Sequence, residues 1–213
     1  MNINFEKITS NEAYFAMVQT IIPRPIAWVL TQNKNESLNL APYSFFTGIC
    51  NDPPLVMISA GKKPSGNEQG QNKDTRQNIM EDDYFVIHIA STKQLDALNN
   101  SAATLDYGQS EVTENNIELT DFIIDENNTF KLPRIKDCPV AIACQLHRID
   151  EIGNASQAVI YGEIKAMYID DNAINLDNKT RLEVNSKSID PLAKLGGPFY
   201  GALGEQFKII RPK

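Results

Sequence analysis

The runs "PVAIACQLHRIDEIG" (139–153) and "AVIYGEIKAMYID" (158–170) decide the fold class. Each is long, rich in aliphatic and β-branched residues, and free of internal proline. A polar link near Asn154 separates them, so they read as two arms of a long hairpin. Shorter runs of the same kind stand upstream. "IAWVLT" (26–31) ends at a polar turn, and "PLVMISA" (54–60) starts at proline and stops at Gly61. "DYFVIHIA" (83–90) is apolar on both faces, as a strand buried on both sides would be. Strands of these lengths, broken by frequent turn signals, point to a barrel or a sandwich.

Helices are few and short in this reading. Residues 10–20 form one, capped by Ser10; Ala13 stands where a capping box needs its acid, and Glu12 sits one place early. Residues 74–82 form a second, capped by Asp74. Residues 91–100 form a third, with Leu95 and Leu98 on one face. The region 101–134 is mixed. No repeat, low-complexity segment or linker divides the chain, so residues 1–213 are expected to form one domain.

The formal net charge of −7 argues against a nucleic-acid binder. No run approaches the roughly 20 apolar residues of a membrane helix. The N-terminal stretch lacks a basic head followed by an apolar core, so no signal peptide is read there. The three cysteines, at 50, 138 and 144, form no CxxC motif and are expected to be free thiols in a reducing cytoplasm. Two histidines, His88 and His147, lie far apart in probable strands, and no metal site is expected. His88 reads as a core or barrel-facing ring. Neither a P-loop nor a GxGxxG after a strand occurs, and there is no Gly-x-Ser-x-Gly elbow.

Three segments carry chemistry. In "PRP" (23–25), prolines stiffen the backbone on both sides of Arg24. Its guanidinium suits a carboxylate or phosphate ligand, or else pairs with an Asp or Glu of the chain. "NLAPYSFF" (39–46), with Thr47 just after it, offers Asn39, Tyr43, Ser44 and Thr47 as polar groups, and Ala41 as a place where a flat ligand could approach the backbone. Its plainer reading is a turn around Pro42 leading into core aromatics. "NKDTRQNI" (72–79) sets Lys73, Thr75 and Arg76 at a helix start, a combination that suits phosphate. Its plainer reading is a capped surface helix. Together the three ask for a ligand with a phosphate at one end and a planar, polar-edged ring at the other. Flavin mononucleotide (FMN) fits that description.

The chain resembles the flavin reductase-like family of FMN-binding split barrels, which includes flavoredoxin and the reductase components of two-component monooxygenases. The resemblance rests on "PRPIAWV" (23–29), "NLAPYSFF" (39–46), "NDPPLVMIS" (51–59), "KDTRQNI" (73–79), "YFVIHIA" (84–90), "SE" (110–111), "LPRIKDCPVAIACQL" (132–146), "GEI" (162–164) and "LGGPFYGAL" (195–203). It implies a mainly β split barrel with a few short helices, assembled as a homodimer with FMN near the interface. It also implies transfer of reducing equivalents from NADH or NADPH to flavin or a downstream acceptor, such as a monooxygenase partner. Carried over residue by residue, the cofactor contacts fall on Asn39, Ala41, Ser44, Ser59, Lys73, Thr75 and Asn78, with Arg24 and Thr31 as additions. No side chain is singled out as catalytic. The alternative within the fold is a flavin- or haem-binding module without turnover. Two departures stand out: Leu30 replaces a small hydroxyl residue common after the PRP motif, and Lys194 replaces an arginine common before Leu-Gly-Gly.

Overall fold

The computed structural model describes residues 1–63, 66–154, 157–175 and 181–212. Seven strands make the main sheet: β1 (Ala27–Gln32), β2 (Leu38–Tyr43), β3 (Phe46–Asn51), β4 (Pro54–Ala60), β5 (Tyr84–Ile89), β6 (Val140–Ile152) and β7 (Gln157–Ile169). Their order is β2-β1-β5-β6-β7-β4-β3. Every neighbouring pair is antiparallel. The two edge strands, β2 and β3, are consecutive in the chain and separated by only Ser44 and Phe45. The sheet therefore curls until its edges meet at that corner, where the Ser59 amide donates to the Phe45 carbonyl at 2.9 Å. No hydrogen-bonded ladder joins β2 to β3.

Alternation along the strands supplies two cores. Ala27 and Val29 of β1 pack inside the curl with Ile58, Phe85, Ile87, Ile142 and Ile160. Ile26, Trp28 and Leu30 face the other way, into a second cluster with Leu98, Phe122, Phe130 and Leu132. That second cluster lies under the covering segment between β5 and β6, which is why β5 reads as apolar on both faces. Burying each such side chain is worth roughly 1.5–3 kcal/mol.

The expected long hairpin is present as β6 and β7, with irregular register at Ala143/Cys144 and Leu146/Arg148. Gly162 sits in β7 where a side chain has no room: a Cβ there would lie 2.4 Å from Phe85 Cζ. The segment expected to turn at Pro42 is instead strand β2, with Pro42 opposite Trp28. An edge strand tolerates proline because one of its sides needs no ladder N–H.

Three helices appear where expected, two of them with corrected caps. Helix α1 is Ser10–Thr20, and its cap is Thr9, not Ser10. With Thr9 as cap, Glu12 falls at the capping-box position. The Thr9 amide donates to Glu12 Oε2 at 2.8 Å, and the Glu12 amide donates to Thr9 Oγ1 at 3.2 Å. Helix α2 is Asp74–Asp82, capped by Lys73 without a side-chain bond. Asp74 is drawn off to Lys63 at 2.6 Å and caps nothing. Helix α3 is Leu95–Asn100, preceded by a 3-10 turn and burying Leu98. A one-turn helix α4 (Glu111–Glu114) adds to these.

The three thiols are free, Cys50 exposed and the other two buried. Among the described residues no helix is long and apolar enough to cross a membrane. Nor does any group of three or more His, Cys, Asp or Glu among them form a metal-binding cluster.

Candidate functional site

A cleft with an accessible volume of about 110 Å³ opens between β2, the start of α2 and the segment 101–105. Asn39, Ala41, Lys73 and Thr75 line it, joined by Tyr43, Lys63, Asp74 and Glu111. Residues from "NLAPYSFF" and "NKDTRQNI" thus meet across one opening.

The meeting is held by a buried amide–hydroxyl network. Asn39 Nδ2 donates to Thr75 Oγ1 at 2.9 Å and to Thr31 Oγ1 at 3.1 Å. Asn78 Nδ2 donates to Thr31 Oγ1 at 3.0 Å and to Asn33 Oδ1 at 2.8 Å. The Tyr107 hydroxyl closes the chain by donating to Asn78 Oδ1 at 3.1 Å. Thr31, Asn39, Thr75 and Asn78 are all buried. Thr31 and Asn78 lie outside the cleft lining and lock α2 to β1 and β2. Thr75 Oγ1 accepts from Asn39, and its hydroxyl lies beside that of Tyr43.

Electrostatics separate the two lysines. Lys63, only 6% exposed, lies 2.6 Å from both Glu68 and Asp74. Burial disfavours its charge, but the two carboxylates outweigh that and raise its pKa. Lys73 makes no ion pair among the described residues and stands 5.4 Å from the Tyr43 ring centroid. Burial lowers its pKa, with no carboxylate to compensate. The Tyr43 hydroxyl is buried without a well-formed hydrogen bond. Burial raises its pKa, and Thr75 beside it only partly opposes that. The open start of α2 adds unpaired amides and the positive end of the helix dipole.

Besides Thr31 and Asn78, three more expected site residues lie off this cleft. Arg24 neither faces an open anion site nor pairs with an acid. Its Nη1 donates to the carbonyls of Val18 and Ile21, at the C-terminal end of α1, and its Nε donates to Ser44 Oγ at 3.2 Å. Orphan carbonyls at a helix end are natural partners for a guanidinium. Ser44 is thereby occupied as well. Ser59 lies on β4, its hydroxyl 3.4 Å from Gln157 Oε1. Two lining residues carried no warning in sequence. Lys63 is one of two adjacent lysines, and nothing local marks which turns inward. Glu111 stood in the "SE" pair without a role.

The flavin reductase like domain profile matches residues 18–183. The chain belongs to the flavin reductase-like family. Nitrilotriacetate monooxygenase component B from Bacillus cereus is 30% identical, with a TM-score of 0.83 and 98% of each chain covered. The 2-nitrobenzoate 2-nitroreductase of Pseudomonas fluorescens is 27% identical, with the same TM-score, over 100% of this chain and 96% of that one. A protein of Shewanella frigidimarina with a split barrel domain, 18% identical over the whole of both chains, gives a TM-score of 0.78. The curled sheet with unpaired edges is that split barrel.

The residues present fit a flavin nucleotide. The unpaired Lys73 ammonium, the Thr75 hydroxyl and the α2 amides suit a phosphate. The orphan Tyr43 hydroxyl and the Asn39–Ala41 edge suit a polar-rimmed ring. Two carboxylates, Asp74 and Glu111, work against an anion; Lys63 neutralises the first.

Proposed function

We propose that this flavin reductase-like protein binds FMN in the cleft and passes reducing equivalents from NADH or NADPH to flavin or to a downstream acceptor. Residues 1–213 act as one domain in this reading. The observation that carries it is Lys73: a half-buried cation without a counter-ion, at an open helix start, across a cleft from Asn39 and Ala41. Lys73, Thr75 and the first amides of α2 hold the phosphate. Asn39 and Ala41 meet the ring, and Thr31 and Asn78 fix Asn39 through hydrogen bonds. Arg24, Ser44 and Ser59 shape the β2–β4 corner. Bound flavin supplies the hydride chemistry, so the chain's task is to orient ring and donor and to exclude water. No acid–base side chain is required for direct transfer between rings.

The protein works as a homodimer in the cytoplasm, a second copy covering the open side of the cleft. The kinship with a monooxygenase component supports an oxygenase partner as acceptor. An inert flavin- or haem-binding module is the rival. His88 is engaged at both ring nitrogens, which leaves His147 as the histidine open to a haem iron.

Titration with FMN should give a bound-flavin spectrum, and anaerobic NADH or NADPH should bleach it. A coloured protein that neither donor bleaches would leave the inert module. The double variant Lys73→Ala, Thr75→Ala should weaken FMN binding at least tenfold while the fold persists, the loss of one charge-assisted bond being worth about 1.5–3 kcal/mol. Unchanged affinity in that variant would show the phosphate to be elsewhere.

A further inference from the structure

Glu111 is the unresolved charge of the cleft. Its side chain is 4% exposed and shares the lining with Lys63, Lys73 and Asp74. Oε2 accepts from the Leu40 amide at 2.9 Å, on the edge of β2 between Asn39 and Ala41. It makes no ion pair among the described residues. Asp74 faces it from α2, Lys63 from the segment after β4, and Tyr43 from β2. Lys63 is already shared between Glu68 and Asp74. The segment 101–105 on the remaining side offers no titratable group.

A phosphate entering beside Lys73 adds negative charge to this enclosure. Burial raises the Asp74 carboxyl too, but its direct contact with Lys63 opposes that. Glu111 has no such contact, so it is the group that neutralises at least cost. Burial already raises it to about 7, with the Leu40 amide opposing. Its hydrogen bond to Leu40 survives neutralisation, because one carboxyl oxygen remains an acceptor.

We propose that Glu111 is the proton-linked positioning residue of the cleft: it takes up a proton from solvent when the flavin phosphate binds, and its bond to the Leu40 amide holds the Asn39–Ala41 edge in either state. The proposal rests on the flavin reading above. Linkage is reciprocal, so a ligand that raises this group's proton affinity binds more tightly when the group is protonated.

The test is calorimetric titration of FMN into wild type and Glu111→Gln at pH 6, 7 and 8, in two buffers of different ionisation enthalpy. Glutamine keeps an acceptor for Leu40 and cannot titrate. The phosphate of FMN titrates in both proteins, so their difference reports Glu111. Wild type should take up about half a proton more than Glu111→Gln near pH 7. The affinity ratio should move about tenfold toward Glu111→Gln between pH 6 and pH 8. Riboflavin, which lacks the phosphate, should show no such difference. Equal proton counts with a constant ratio would overturn the proposal and leave the flavin reading intact. If wild type binds neither FMN nor riboflavin, the flavin reading falls and takes this with it. Should Glu111→Gln fail to fold, wild type alone decides: FMN must take up more protons than its free phosphate accounts for, and no excess is a refutation.

Discussion

His88 is held by both of its ring nitrogens. Nε2 accepts from the Ile135 amide at 2.9 Å, and an amide can only donate, so the proton sits on Nδ1, 3.1 Å from the Trp28 carbonyl. Burial depresses its pKa to about 3. The folded value lies below the unfolded one near 6.5, so the stabilisation is complete above that pH and is lost as pH falls from there toward 3. Urea unfolding of wild type should lose about 2 kcal/mol from this group between pH 7 and pH 5. His88→Asn should be less stable at pH 7 yet show a shallower dependence on acid; equal slopes would remove His88 as the cause. The ring was legible from sequence as a satisfied core residue, since an apolar run on both sides leaves it nowhere else to point. Glu111 was not legible, because its burial depends on α4 docking against β2, far away in the chain.

At the scale of elements, the β6–β7 hairpin shows where pattern ends and packing begins. Its two arms follow from composition alone. The need for Gly162 does not, because the obstacle is Phe85, on a strand that pairs with β6 rather than β7. Gly162→Ala is expected to cost about 1–3 kcal/mol through overpacking, read as a lower unfolding midpoint. An unchanged midpoint would mean the Phe85 ring can retreat. Helix α1 gives the converse lesson. Its box residues, Thr9 and Glu12, are adjacent enough to be read locally, but the frame is set by which hydroxyl acts as cap. Assigning Ser10 moved the box one residue and hid it. Helix α2 was placed correctly, whereas Asp74 was misread as its cap because its partner, Lys63, lies on another segment.

On the whole molecule, large apolar side chains remain uncovered. Phe199 is 68% exposed, Phe207 78%, and Ile210 89%. Apolar side chains left this far in water gain from being covered by another surface. The proposed homodimer accounts for it if the segment 203–212 lies on a second copy. Sedimentation should then give twice the 23.8 kDa chain mass. The triple variant Phe207→Ser, Ile209→Ser, Ile210→Ser should shift the equilibrium toward one chain, with FMN affinity falling alongside if the partner covers the cleft. A wild type that sediments as one chain at every concentration would refute the dimer.

Period-2 alternation, proline and glycine stops, and helix-cap residues act over a few neighbours, so the sequence by itself determined five of the seven strands and placed three short helices, while β2 and β3 were settled only by their pairing partners. It also named Asn39, Lys73 and Thr75, because the helix-start chemistry and the polar run were each contiguous. Only the tertiary structure decided which of the named groups share a cleft. Arg24 went to the end of α1 and Ser59 to another face, while Lys63 and Glu111 came in unannounced. The reason is physical: curling a sheet until its first and last strands meet brings together side chains that no local periodicity relates, and charge compensation is settled only among groups that are then close.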